Sequence, residues 1–284
     1  CRGTLMLRLR DDSSLPLVSA ADGALRTWRR PARAGLAVLL VIFVCSSAYA
    51  ATVVSGHDPI PVVLWRWAPL LLWGFLFNLI ISALSMAVGT AAGLPLGIMQ
   101  MSPNPLVSRP ARLVTQFFRN APWLVLLFIC VLLLPFEFRV FGLRIPFPDW
   151  AKAVIGFALP AMANVAEIVR GAVQSVPSGQ WESAESLCFS RRQTMMQIIL
   201  PQCIKRMLPP WMNLYSLITM SSVNASVVGV NEMLTITTQV HAAEGSRPEL
   251  LAPLYSFALV CFFIYSYPIG RWTEYLERKY QVKE

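Results

Sequence analysis

The sequence predicts an all-α membrane protein of about six transmembrane helices, and three observations carry that prediction. Apolar residues make up 56% of the 284 positions and charged residues 14%, with a mean hydropathy of +0.55, a balance unlike that of a soluble domain. Six hydrophobic stretches, roughly 35–54, 74–99, 113–135, 150–172, 209–231 and 252–271, each approach the ~20 residues needed to cross ~30 Å of hydrocarbon. The basic residues then divide unevenly between alternate loops. With the N-terminus inside, 19 Lys or Arg fall on the cytoplasmic side and five (Arg66, Arg139, Arg144, Lys152, Arg247) outside, which places both termini in the cytoplasm. The net charge of +9 is thereby read as topology and not as a nucleic-acid surface.

Residues 1–34 mix arginine with Asp, Ser and Gly and read as a disordered basic tail. The segment that follows joins a basic front and an apolar middle to Ala48-Tyr49-Ala50, which resembles a cleavable secretory signal. Its apolar run is long enough to span, so an uncleaved extra helix is expected over 35–54. At 65–74, three tryptophans around Pro69 suit a segment at the lipid interface leading into the second span. Within that span Asn78 and Ser82 lie four apart, and Gly89, Gly93 and Gly97 recur every four residues; both sets are expected to be helix-packing contacts. Arg119, near the inner end of the third span, is placed to reach lipid headgroups. Glu167 and Arg170, three apart at the inner end of the fourth, are expected to form a structural ion pair rather than to touch substrate. In the fifth span the serines can satisfy themselves on the backbone, whereas Asn224 either faces a pathway or ties two helices together.

Between the fourth and fifth spans runs the one long water-compatible stretch, QWESAESLCFSRRQTMMQIILP (180–201), within a loop spanning 173–208. Ser178 follows a proline and can cap a first helix, with Glu182 and Glu185 near its positive end. Trp181, Ala184 and Cys188 make a narrow apolar stripe. Ser190 and Gln193 have capping-box spacing, so a second helix is expected to run from there to Pro201. Physics alone leaves two readings: a helix resting on the lipid surface, or one presented to a groove on a partner protein.

The spacing of Glu182-Ser183-Ala184, Cys188, Ile198 and Leu200-Pro201 resembles the Glu-Ala-Ala loop in the permease subunits of bacterial ABC importers. AEIVRGAVQSVPSGQWESAESL (166–187), FFRNAPWLVLLF (117–128) and SVVGVNEM (226–233) are similar to the polar amino-acid and opine branch of that family. The resemblance covers about 70–284 and implies the type I permease fold, with a permease domain over 70–272 and a cytoplasmic tail over 273–284. It implies a translocation path shared with a second permease subunit, identical or homologous. It also implies separate ABC ATPase subunits and a periplasmic solute-binding protein as partners, in the bacterial inner membrane. By the same resemblance Trp181, Glu182, Ser183, Ala184, Leu187, Cys188 and Pro201 form the ATPase-coupling region, with Glu182, Ser183, Ala184 and Leu187 as its surface. The chain departs from the family pattern twice. Cys188 stands where a glycine usually breaks the loop, so the break is expected to be shifted or less tight. Met220, Ser221, Ser222 and Asn224 replace a Lys-x-Thr-Ser-Leu run, which bears on the substrate path.

No GxxxxGK[ST] phosphate loop occurs in the sequence, so hydrolysis is assigned to another chain. The six cysteines include no CxxC pair, and the two histidines, His57 and His241, fall outside the predicted spans; neither a metal, a cofactor nor a catalytic site is expected. The alternatives are a permease for another small polar solute, or a gradient-driven transporter or channel in which the long loop is incidental.

Overall fold

A computed structural model of the chain describes residues 58–140 and 143–280. The expected tail over 1–34, the extra helix over 35–54 and His57 lie outside the described residues. What is described is helical except for one short hairpin. Helix α1 (Ile60–Gln100) takes the interfacial tryptophans and the second span into a single 41-residue rod. At 1.5 Å per residue it is about 60 Å long, twice the hydrocarbon thickness.

The predicted third span is not straight. Helix α2 (Pro105–Asn120) meets α3 (Trp123–Leu133) at 104°. The cause is local: Pro122 forces Ala121 into extended backbone (φ −74°, ψ 138°), as a residue before proline requires, and the helix stops. A two-stranded antiparallel hairpin, β1 (Glu137–Val140) and β2 (Leu143–Pro146), follows and pairs Glu137 with Pro146; it is a short connection within the all-α fold. Helix α4 (Asp149–Gln174) then returns through the bundle and packs along α1.

The loop contains helix α5 (Ser178–Ser186), the single turn α6 (Arg191–Gln193) and a π-helical turn over Thr194–Ile199. Two expectations are corrected here. Ser178 is the first helical residue and its side chain does not cap; Pro177 occupies the N-cap. Pro201 does not end the second helix, because the chain passes from the π turn directly into α7 (Leu200–Ser221) with the proline in its first turn, where its missing N–H is tolerated. The Ser190–Gln193 capping box does form: the Ser190 N–H donates to Gln193 Oε1 at 2.9 Å, and the Gln193 N–H donates to Ser190 Oγ at 3.4 Å.

The predicted fifth span, 209–231, is shifted and broken. Helix α7 begins nine residues earlier, tightens into a 3-10 segment over Ser222–Val228, and stops at Gly229, whose φ of 83° suits a residue without Cβ. Helix α8 (Met233–Ala243) turns back, and α9 (Pro248–Tyr280) carries the sixth span through much of the supposed tail. Among the described residues α1, α4 and α9 are long and apolar enough to cross a membrane, with the bent α2–α3 pair as a fourth candidate.

The α1–α4 contact sets the frame. A Cβ added at Gly89 would stand 2.5 Å from the Ala161 Cβ, at Gly93 2.6 Å from the Met162 carbonyl, and at Gly97 2.7 Å from the Val169 Cβ. The glycine stripe therefore lets α4 approach the α1 backbone itself. Ser85 adds a bond across the contact, donating to the Val154 carbonyl at 3.1 Å. Ser82, expected to be a packing contact, is fully buried and donates to the Leu79 carbonyl in its own helix.

Candidate functional site: a polar loop and a cavity

Helix α5 turns one face inward. Ala184 is buried (1% exposed), and Trp181 packs on a cluster made by Ala172 and Val173 of α4, Val176, Ile199 and Cys203. Ala184 thus belongs to the seat of the helix, and its expected place on the coupling surface is corrected. Glu182, Ser183 and Leu187 point outward, with Leu187 69% exposed.

The break after α5 is tight and lies at Cys188. This residue takes φ 56°, its N–H donates to the Glu185 carbonyl at 2.9 Å, and the Phe189 N–H donates to the Ala184 carbonyl at 3.0 Å. These two bonds are the Schellman ending, with cysteine where glycine is preferred. The break is therefore neither shifted nor loosened by the substitution. Pro201 lies across the π turn from it, where α7 begins.

Beside the loop, α2, α4 and α7 border an open cavity of about 560 Å³ whose polar lining includes Arg119, Asn164, Glu167, Ser175, Arg206 and Asn213. Glu167 and Arg170 do pair, Arg170 Nη2 on Glu167 Oε1 and Nε on Oε2 at 3.2 Å. Arg119 also reaches Glu167, at 3.5 Å, so it joins an ion cluster at the cavity wall and is not simply directed to lipid headgroups. Arg206 donates to the Ser175 carbonyl and, at 2.8 Å, to its hydroxyl. This fastens α7 to the end of α4. The cavity is built from the same two helices that seat α5.

The four candidate path residues do not act as a set. Met220 is half exposed and Ser221 and Asn224 are partly exposed, but Ser222 is fully buried. Ser222 donates to the Thr219 carbonyl at 2.7 Å and accepts from Asn78 at 2.9 Å. On α7 the outward line runs instead through Asn213, Leu217 and Met220.

Sequence reasoning passed over Glu232, which is fully buried. Its carboxylate accepts from the N–H groups of Leu234 and Thr235, from the Thr235 hydroxyl and from Asn78 Nδ2. A carboxylate immediately before the apolar-periodic run of α8 was the available signal, since that is an N-cap position.

Comparison with known proteins agrees with this architecture. Residues 85–282 match the family model described as binding-protein-dependent transport system inner membrane component. The chain is 44% identical over 167 residues to the probable amino-acid ABC transporter permease protein YckA of Bacillus subtilis (strain 168), covering 58% of this chain and 71% of that protein. It is 32% identical to the octopine transport system permease protein OccM of Rhizobium meliloti, covering 77% and 91%. It is 30% identical to the glutamine transport system permease protein GlnP of Escherichia coli (strain K12), covering 77% and 96%. Among solved structures, an amino acid ABC transporter crystallised with histidines superposes with a TM-score of 0.66 at 25% identity, covering 77% of this chain and 97% of that one. The MetNI methionine transporter, inward-facing and 19% identical, shares the fold with a TM-score of 0.60 over 76% and 99%. The chain belongs to the inner-membrane components of binding-protein-dependent transport systems, the permease subunits of ABC importers.

Proposed function

We propose that this permease carries a polar amino acid, or an opine-like amino-acid derivative, inward across the bacterial inner membrane, driven by separate ABC ATPase subunits that engage the 178–201 loop. A periplasmic binding protein delivers the substrate, a second permease copy or homologue completes the path, and both termini lie in the cytoplasm. The observation that carries the coupling is mechanical: α5 packs through Trp181 on Ala172 and Val173 of α4 and Cys203 of α7, and Gln202 of α7 donates to Gln180 at 3.3 Å; these are the helices that line the polar cavity. A displacement of α5 by an ATPase is thereby passed to the cavity walls as a rigid-body movement. Carboxylate and guanidinium groups side by side at that wall suit a zwitterionic substrate, which presents the opposite charges. The relatives' names, with glutamine, octopine and amino-acid permeases among them, support the same substrate class.

Affinity purification of the full chain from native membranes tests the coupling. An ATPase subunit should co-purify, and Glu182→Lys should abolish both its recovery and uptake while leaving the permease inserted. Unchanged recovery and uptake in that variant would overturn the role of the loop, and uptake that persists without ATP would overturn the importer reading.

A further inference from the structure

Helix α2 is amphipathic in the unusual sense. Its small residues Ser108, Ala111 and Thr115 face inward and are buried, whereas Leu106, Leu113 and Phe117 are 83%, 73% and 63% exposed. With Pro110, also exposed, these form an apolar line at positions i, i+4, i+7 and i+11, one face of a helix. Arg109 and Arg112 flank the line, and α2 contains no acidic residue. Among the described residues neither arginine has a carboxylate partner; Arg112 Nη2 donates only to the Gln100 carbonyl, at 3.3 Å.

Depth and tilt are set by neighbours. Gln100, at the end of α1, donates to Thr115 at 3.0 Å. Arg112 and Gln116 share a second cavity with Arg170 and Gln174 of the last turns of α4, where the 173–208 loop begins. Helix α2 therefore lies at the loop end of the spans, and its direction departs from that of α3 by 104°. Basic residues beside an outward apolar line, on a short helix at the loop end of a bundle, match the chemistry of a lipid interface.

We propose that α2 is an interfacial helix that binds anionic phospholipid of the cytoplasmic leaflet, its apolar line among the acyl chains and Arg109 and Arg112 on the headgroup phosphates. The leaflet assignment rests on the loop orientation given under the proposed function; the lipid assignment does not. The charge complementarity favours anionic lipid over a second copy of this chain, because two copies meeting through α2 would bring unpaired arginines together.

The test uses the full chain in vesicles of phosphatidylcholine alone and of equal parts phosphatidylcholine and phosphatidylglycerol. After gentle extraction, phosphatidylglycerol should be enriched over phosphatidylcholine on the protein. Replacing Arg109 and Arg112 by Gln should lower that enrichment roughly fivefold per arginine, and replacing both by Lys should preserve most of it. A fluorophore on Leu113→Cys should be quenched by lipids carrying spin labels in the acyl chain. Equal lipid retention in the double Gln variant overturns the proposal. So does cross-linking of Leu113→Cys between two copies without quenching by lipid. Labelling of Arg109→Cys only from the outer face overturns the leaflet and the loop orientation together, an outcome distinct from loss of lipid selectivity.

Discussion

The side chains of Asn78 and Glu232, 154 positions apart, meet at 3.0 Å in the fully buried interior of the bundle. The contact is one strand of a knot. Asn78 also donates to Ser222 at 2.9 Å and accepts from the Met233 N–H at 3.0 Å, so one residue of α1 secures both ends of the irregular segment between α7 and α8. Backbone that leaves helical geometry within a bundle has to be satisfied by protein groups. Asn78 and Glu232 provide that satisfaction, which is why the chain can break at Ser222–Gly229 without exposing unpaired donors to lipid.

Removing the carboxylate leaves those donors without an acceptor. Glu232→Ala should destabilise by about 2 kcal/mol or more, since a buried donor left without an acceptor costs about 1–3 kcal/mol. Glu232→Gln keeps one acceptor oxygen and should lose clearly less. Thermal unfolding of the two variants in the same detergent checks the order; equal losses would mean that volume and not hydrogen bonding holds the knot.

The glycine stripe of α1 makes a contrasting prediction. Gly93→Ala places a methyl group 2.6 Å from the Met162 carbonyl and 2.7 Å from the Val165 Cβ, and overpacking of that kind costs about 1–3 kcal/mol. Gly270, on an exposed part of α9, would have nothing within 4 Å of an added Cβ, so Gly270→Ala should gain about 0.5–1 kcal/mol from helix propensity. A shared sign of the two thermal shifts would contradict the close α1–α4 approach.

Cys188 holds a left-handed conformation at φ 56° that costs a side-chain-bearing residue about 1–2 kcal/mol. Cys188→Gly should therefore raise the stability of the loop, seen as slower proteolysis between α5 and α7. The native thiol is exposed, whereas Cys130 and Cys203 are buried, so a maleimide should modify Cys188 in the folded protein well before those two. Equal rates at all three would show that the loop does not hold this ending.

Much of this was legible in the sequence because the bilayer is a strict solvent: hydrophobic runs and loop charge located α1, α4 and α9. The breaks were less legible. A hydropathy window counts apolar residues and is blind to direction, so the 104° turn at Pro122 and the 3-10 ending of α7 both passed as parts of continuous spans. Within the loop, the capping box at Ser190 was readable from residue spacing, which is local, while the inward face of Ala184 depends on where α4 and α7 lie. The capping role of Glu232 was likewise local and readable, while its burial follows from Asn78 on a distant helix.

The cavity wall separates a structural ion cluster from a substrate contact. Glu167 sits between Arg119 and Arg170, and its side chain is 19% exposed toward the space that Asn164, Arg206 and Asn213 also line. If its whole role were to orient α4, Glu167→Gln would lower stability and maximal uptake rate together and leave the apparent KM unchanged. Arg119 is 43% exposed and Arg170 32%, so solvent screens both pairs and the stability loss should stay near about 1 kcal/mol. A carboxylate that helps hold the substrate's ammonium group predicts a different pattern, a raised apparent KM at nearly unchanged stability. Because Glu167 opens onto the cavity while its two arginines are partly solvated, the second pattern is expected. Uptake measured against substrate concentration in proteoliposomes decides it, and a variant that loses only maximal rate would return Glu167 to a purely structural role.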